Sequence, residues 1–157
     1  MTRAGIGWDS HRLERDRRLV LGGVEIEGAE RGLAGHSDAD VLTHALIDAL
    51  LGAAGLGDLG RHFPDTDERW RDADSIELLR SVLGLLRTAG FAPVNVDATV
   101  ACEAPKLDSH REAMRSRLAE ALELAPGAVN VKFTTGERMD FVGRGEGIAA
   151  MAVATLS

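Results

Sequence analysis

Apolar and polar positions change their period several times along the chain, and each change marks an element. Arg3 to Trp8 is a short, largely apolar run that predicts a strand ending at Asp9, Ser10 and His11. Arg18 to Ile26 reads as two short strands around Gly22 and Gly23, the composition of a hairpin. Leu42, Ala45, Leu46, Ala49, Leu50 and Ala53 recur at helical spacing and predict a core-facing stripe. Ser37 with Asp40 three residues on gives that helix a capping-box-like start, and Gly52, Gly55 and Gly57 mark its end. Arg61 to Ala73 is polar, aperiodic and interrupted by Pro64, so it predicts a loop. Asp74 or Ser75 caps a second helix through Ile76, Leu79, Val82, Leu83 and Leu86, closed by Gly90. Val94 to Ala101 alternates and is β-branched, as a strand would be. A third helix is expected from Ser109 to Leu124, and strands over Val129 to Thr134 and Gly147 to Leu156. Without repeats or composition breaks, residues 1–157 read as a single domain. Its class is α+β, a mixed β-sheet with helices packed on one face.

Hydrophobic residues at 45% and charged residues at 27% supply a real core and argue against disorder. The 25 acids and 18 bases leave a net charge of −7, which disfavours nucleic acid and anionic membrane surfaces as partners. A phosphate ligand would then have to meet local cations, metals or helix N-termini. Cys102 is the single cysteine and cannot form an intrachain disulfide. The first residues lack the apolar stretch of a signal peptide, and His44 and Asp48 interrupt the longest apolar helix. A cytoplasmic location is therefore expected. Only Lys106 and Lys132 are lysine. Codon bias accounts for the arginine excess, but a site needing a compact ammonium would retain Lys.

Several groups of residues carry candidate chemistry. Asp9 and His11, two apart in an extended segment, project to one face, and His44 lies near the start of the first helix. One carboxylate and two imidazoles make an incomplete zinc shell with a fourth position for substrate or water. By spacing alone, a satisfied surface histidine explains His44 as well. His36, Ser37, Asp38 and Asp40 precede that helix and suit anion binding. Plain capping explains all of these but His36. Asp40, His44 and Asp48 fall at i+4 spacing, so either acid can orient the His44 ring, with a solvated face as the alternative. Phe63, Pro64, Asp65, Thr66 and Asp67 follow Asp58, Leu59 and Gly60 in a segment that suits a polyol site, a lid or a solvated loop. Thr134, Thr135, Gly136 and Glu137 end a strand with hydroxyls and a carboxylate, which suit phosphate oxygens and a hard divalent cation. Arg144 stands among glycines, without the strand-to-helix turn of a dinucleotide site. Cys102 reads most simply as a small buried hydrophobe.

Taken in chain order, Gly7–His11, His36–Val41, Asp48–Asp58, Phe63–Asp67, Ala104–Lys106, Lys132–Thr135 and Gly143–Gly147 resemble the motifs of the 2-C-methyl-D-erythritol 2,4-cyclodiphosphate synthases of non-mevalonate isoprenoid synthesis. The resemblance implies a homotrimer with active sites at subunit interfaces. It implies conversion of 4-diphosphocytidyl-2-C-methyl-D-erythritol 2-phosphate to the cyclic diphosphate and CMP. One zinc per subunit would sit on Asp9, His11 and His44, and magnesium or manganese on Glu137. His36 and Thr135 would stabilise the transition state, with Ser10 and Ser37 beside the substrate. Asp58, Leu59, Gly60 and Phe63 to Asp67 would hold the methylerythritol end. Cys102, Glu103, Ala104, Pro105, Lys106, Leu107 and Asp108, with Thr134, Thr135 and Gly136, would frame cytidine from the neighbouring subunit. Phe141, Arg144 and Glu146 would line a central cavity for an isoprenoid diphosphate. The chain is too short to include the cytidylyltransferase domain fused to some relatives. It departs from the family pattern at Gly136, often Thr, at Met139 and Asp140, often Leu and Gly, and between Lys106 and His110. The alternatives are a zinc phosphohydrolase, in which water attacks, and a non-catalytic trimeric module that binds an isoprenoid diphosphate.

Overall fold

A computed structural model of the chain describes residues 1–157. Its elements are β1 (Arg3–Arg15), β2 (Val20–Leu21), β3 (Val24–Glu25), β4 (Arg31–Leu33), α1 (Val41–Ala54), α2 (Leu59–His62), α3 (Ser75–Thr88), β5 (Pro93–Ala101), α4 (Arg111–Leu122), β6 (Val129–Thr134), α5 (Asp140–Gly143) and β7 (Gly147–Leu156). Single 3-10 turns lie at Glu68–Trp70, Asp108–His110 and Pro126–Ala128. The main sheet has the order β4-β1-β7-β5-β6; β5 and β6 run parallel and the other neighbours antiparallel. It is the expected mixed sheet. β2 and β3 form the expected hairpin, with Gly22 and Gly23 at φ 58° and 70°, as a tight two-residue turn requires.

α1 lies directly across β1, and two glycines make that approach possible. A Cβ on Gly7 would stand 1.9 Å from the Ala45 carbonyl oxygen, and one on Gly5 would stand 2.1 Å from that of Ala49. The helix-facing side of the sheet is filled by Ala98, Val100, Ile148, Ala150 and Ala152, all buried. α3 covers the outer side of α1, so twelve of its fourteen residues are buried. The opposite face of the sheet is open. There Ile6 pairs with Val153 and Trp8 with Met151, four apolar side chains that are 65%, 41%, 53% and 47% exposed.

Four expectations need correction. β1 does not stop near His11 but continues to Arg15, because it pairs with β7 as far as Arg12 and then with β4 from Leu13. Asp40, not Ser37, caps α1: it accepts from Thr43 N at 3.0 Å and also binds Gly22 N, Gly23 N and the Thr43 hydroxyl. That carboxylate ties the hairpin to the helix. Arg61 to Ala73 is not wholly loop, since α2 runs into it and a 3-10 turn crosses it, each capped by an aspartate (Asp58 and Asp67). Elements of three or four residues are too short to show a period. The third helix opens as a 3-10 turn and ends at Leu122, where Glu123 takes φ 55°.

Candidate active site

Asp9 and His11 sit opposite Ala150 and Ile148 of β7, on the face that α1 crosses. Gly7, two residues earlier, brings the helix close enough for His44 to reach them. The Asp9 Oδ2 atom lies 3.0 Å from His11 Nε2 and 3.1 Å from His44 Nδ1, and the two ring nitrogens are 3.3 Å apart. His11 Nδ1 is 2.8 Å from the Ala34 carbonyl. A carbonyl only accepts, so Nδ1 carries the proton and the Nε2 lone pair points at Asp9. Burial pushes the Asp9 carboxyl up, but the His11 and His44 rings, which in their protonated forms donate to it, outweigh that and hold it at about 2. Burial lowers the His11 pKa, yet the contact with Asp9 prevails and raises it. The cluster therefore attracts positive charge. One carboxylate oxygen and two imidazole nitrogens within 4.8 Å of one another are a donor set suited to a tetrahedral zinc with one open position.

Neither acid on the helix face orients His44. The Asp40 side chain is spent on the hairpin and the cap. Asp48 accepts from Leu59 N at 2.7 Å and anchors α2 to α1. The ring nitrogen Nε2 of His44 instead meets the hydroxyls of Ser75 at 2.8 Å and Ser37 at 3.2 Å. Ser75 is invisible to sequence reasoning as a site residue. It follows a capping aspartate in a separate helix, and nothing in the spacing links it to His44.

The cluster forms one wall of a cavity of about 460 Å³. Asp9, His11, His36, Ser37, His44, Asp58, Leu59, Gly60, Phe63 and Asp65 all line it, as do Asp48 and the unanticipated Trp70 and Leu78. Phe63 and Trp70 meet edge to face at 5.1 Å. Pro64, Thr66 and Asp67 are not among the lining residues. The Asp67 carboxylate is taken by Arg69 at 2.6 Å, which lowers its pKa, while its carbonyl lies 3.3 Å from His36 Nε2.

A second cavity, of about 220 Å³, opens at the carboxyl ends of the parallel strands β5 and β6. Cys102, Pro105, Lys106, Leu107, Asp108, Thr134 and Thr135 line it together with Phe133. None of them lines the first cavity. Glu103 accepts from Gly136 N, the Thr135 hydroxyl donates to Glu137 at 3.0 Å, and Ala104 faces a different hollow beside Leu13 and Arg31. Burial pushes the Cys102 thiol up to about 11, in keeping with an inert hydrophobe. Lys132 does not join the pocket: it pairs with Asp97 at 2.5 Å. Phe141 and Glu146 line a further hollow with Ser10, His11 and Arg12, and Arg144 is bound to Glu146 at 2.8 Å.

The departures from the family pattern have local reasons. Asp140 takes φ 48°, a conformation glycine suits, and its side chain compensates by accepting from Val142 N and Gly143 N. A Cβ on Gly136 would come within 2.3 Å of Gly143 N, so this loop has no room for a threonine there.

The description "YgbB family" matches residues 2–157. A "Bifunctional enzyme IspD/IspF" from Anaeromyxobacter sp. (strain Fw109-5) is 62% identical over 152 residues, covering 97% of this chain and 39% of that protein. A 2-C-methyl-D-erythritol 2,4-cyclodiphosphate synthase from Salinibacter ruber is 59% identical over 154 residues, covering 98% of each chain. The solved bifunctional IspDF from Campylobacter jejuni superposes with a TM-score of 0.95 at 44% identity, covering 99% of this chain and 42% of that one. A solved 2C-methyl-D-erythritol-2,4-cyclodiphosphate synthase in its CDP-bound form gives 0.90 at 39% identity, covering 99% of this chain and all of the other. The chain thus spans well under half of the bifunctional relatives and nearly the whole of the single-function ones.

Proposed function

The chain belongs to the YgbB family, and on that premise we propose that it is a phosphorus–oxygen lyase, a 2-C-methyl-D-erythritol 2,4-cyclodiphosphate synthase. It converts 4-diphosphocytidyl-2-C-methyl-D-erythritol 2-phosphate to the cyclic diphosphate and CMP. One observation carries the reading: Asp9, His11 and His44 converge on the wall of a cavity large enough for a phosphorylated polyol. In the reaction, an oxygen of the 2-phosphate bonds to the β-phosphorus. The bond from that phosphorus to the bridging oxygen breaks, and its electron pair leaves on CMP. No water is consumed and no protein nucleophile is required, so the residues act by positioning and by neutralising charge.

Asp9, His11 and His44 would hold one zinc per subunit, and Glu137 would hold magnesium or manganese. When bound, these ions supply electrophilic polarisation of the phosphate oxygens. Asp58 and Asp65, with Leu59, Gly60 and Phe63, offer the methylerythritol hydroxyls acceptors and an apolar wall. His36 donates toward the charge that develops at the phosphates, and Thr135 would join it once a cation on Glu137 frees the hydroxyl from that carboxylate. Lys106 and the backbone around Cys102 and Thr134 take the cytidine phosphate and base. The two cavities share no residue, which supports a site completed by a second copy of the chain. The open apolar face of the sheet, with Ile6, Trp8, Met151 and Val153, supports a homotrimer as the assembly. Arg144 is already paired with Glu146, and an isoprenoid diphosphate gains no support from this arrangement. We assign the reaction to the cytoplasm; no helix is long and apolar enough to cross a membrane.

The names of the relatives do not favour the phosphohydrolase alternative, and the products decide between the two. Phosphorus NMR of the zinc- and magnesium-supplemented protein with the cytidine substrate should show CMP and the cyclic diphosphate in equal amounts. Linear phosphates in their place would establish hydrolysis.

A further inference from the structure

We propose that Ser75, backed by Asp38, is a positioning residue that fixes the tautomer and orientation of the His44 ring for metal binding. The chain of donors runs in one direction. Ser75 Oγ donates to Asp38 Oδ1, a contact given without ambiguity by the carboxylate, which also accepts from Ser75 N at 2.9 Å and Asp40 N at 3.1 Å. Its one proton being committed there, the Ser75 hydroxyl is an acceptor toward His44, whose Nε2 lies 2.8 Å away. Nε2 therefore carries the ring proton, and the Nδ1 lone pair faces Asp9 and His11 Nε2. The other tautomer would place a hydrogen between His44 and Asp9, where a cation must sit. It would also leave Nε2 as an acceptor facing a hydroxyl with no proton to give.

Ser75 is fully buried and is the first residue of α3, while Asp38 lies in the segment before α1. The relay thus fastens α3, the 36–40 segment and α1 around one imidazole. His11 is fixed differently, by the Ala34 carbonyl. Ser37 Oγ is a second, longer contact of Nε2 and accepts from Ala39 N, so it supplements the relay without replacing it.

The inference rests on Asp9, His11 and His44 being the metal ligands, and its test is independent of turnover. Ser75→Ala deletes the hydroxyl and keeps the backbone bond to Asp38. Its zinc dissociation constant, measured by competition with a chromophoric chelator, should rise about ten- to a hundredfold. The visible bands of the cobalt-loaded protein should change, and Ser75→Thr should restore both. In the zinc-free wild-type protein, at a pH where the ring is neutral, nitrogen-15 NMR should find the His44 proton already on Nε2, which decides the question even if Ser75→Ala fails to fold. Wild-type zinc affinity with an unchanged cobalt spectrum in Ser75→Ala, or a His44 proton on Nδ1, overturns the inference while leaving the metal site intact. Failure of the wild-type protein to bind zinc overturns both.

Discussion

The two cavities of this chain are built in opposite ways. The Asp9–His11–His44 cluster is set at the edge of the core, where Gly7 brings β1 against α1 and each imidazole has a fixed partner behind it. The pocket at the ends of β5 and β6 has about half the volume and is bordered by a turn in which Glu137, Arg138 and Asp140 all take positive φ. The three donors of the first side all come from a single chain. The other presents groups such as Thr135 and Glu137 outward, satisfied only by each other. The lesson is that the geometry of the Asp9, His11 and His44 donors is carried by packing, whereas the pocket proposed for the nucleotide is an open surface with room for a second wall.

The largest expected effect follows from breaking the buried side. His44→Ala should lose zinc by elemental analysis and slow CMP release about a thousandfold or more, roughly 4 kcal/mol of barrier. Its melting temperature should stay near the parent value, because the core of α1 is apolar. Gly7→Ala attacks the same side through packing. With a Cβ 1.9 Å from a carbonyl oxygen, β1 and α1 must separate, and denaturant titration should show a loss of about 3 kcal/mol or more. On the open side, Thr135→Ala should cost about a hundredfold in rate, the usual effect of losing one donor to developing charge. It should leave zinc content and melting unchanged, which is what separates the two regions. The smallest effect is expected at Cys102. With its pKa near 11, its thiol stays protonated at neutral pH and should resist iodoacetamide until the protein is unfolded. Cys102→Ala should keep activity within about tenfold.

How far the sequence revealed this contrast depended on range. The Asp9, His11 and His44 cluster was legible because Asp9 and His11 share a strand face and His44 stands in a helix whose apolar residues recur at helical spacing. The hairpin, the second helix and the last three strands were legible from local pattern alone. The support behind the ligands was not. Asp40 and Asp48 stand at the right spacing to orient His44, yet one caps a helix against the hairpin and the other holds α2. Ser75 reaches His44 across 31 residues of chain, a contact that only the packing of α3 on α1 creates. Lys132, marked by the scarcity of lysine, proves to be a partner of Asp97 on the neighbouring strand. The short helical turns within residues 59–70 escaped notice because a single turn has no period to detect.

The central claim is that a metal centre complete within one chain works with a nucleotide pocket supplied by its neighbour. His44→Ala and Thr135→Ala each damage one side only, so chains carrying them can be co-expressed in equal amounts and assayed together for CMP release. If the site is shared around a trimer, random assembly leaves about a quarter of the sites with both sides intact, and activity should recover to that fraction of the parent. A mixture no more active than the mean of the two variants would contradict the claim.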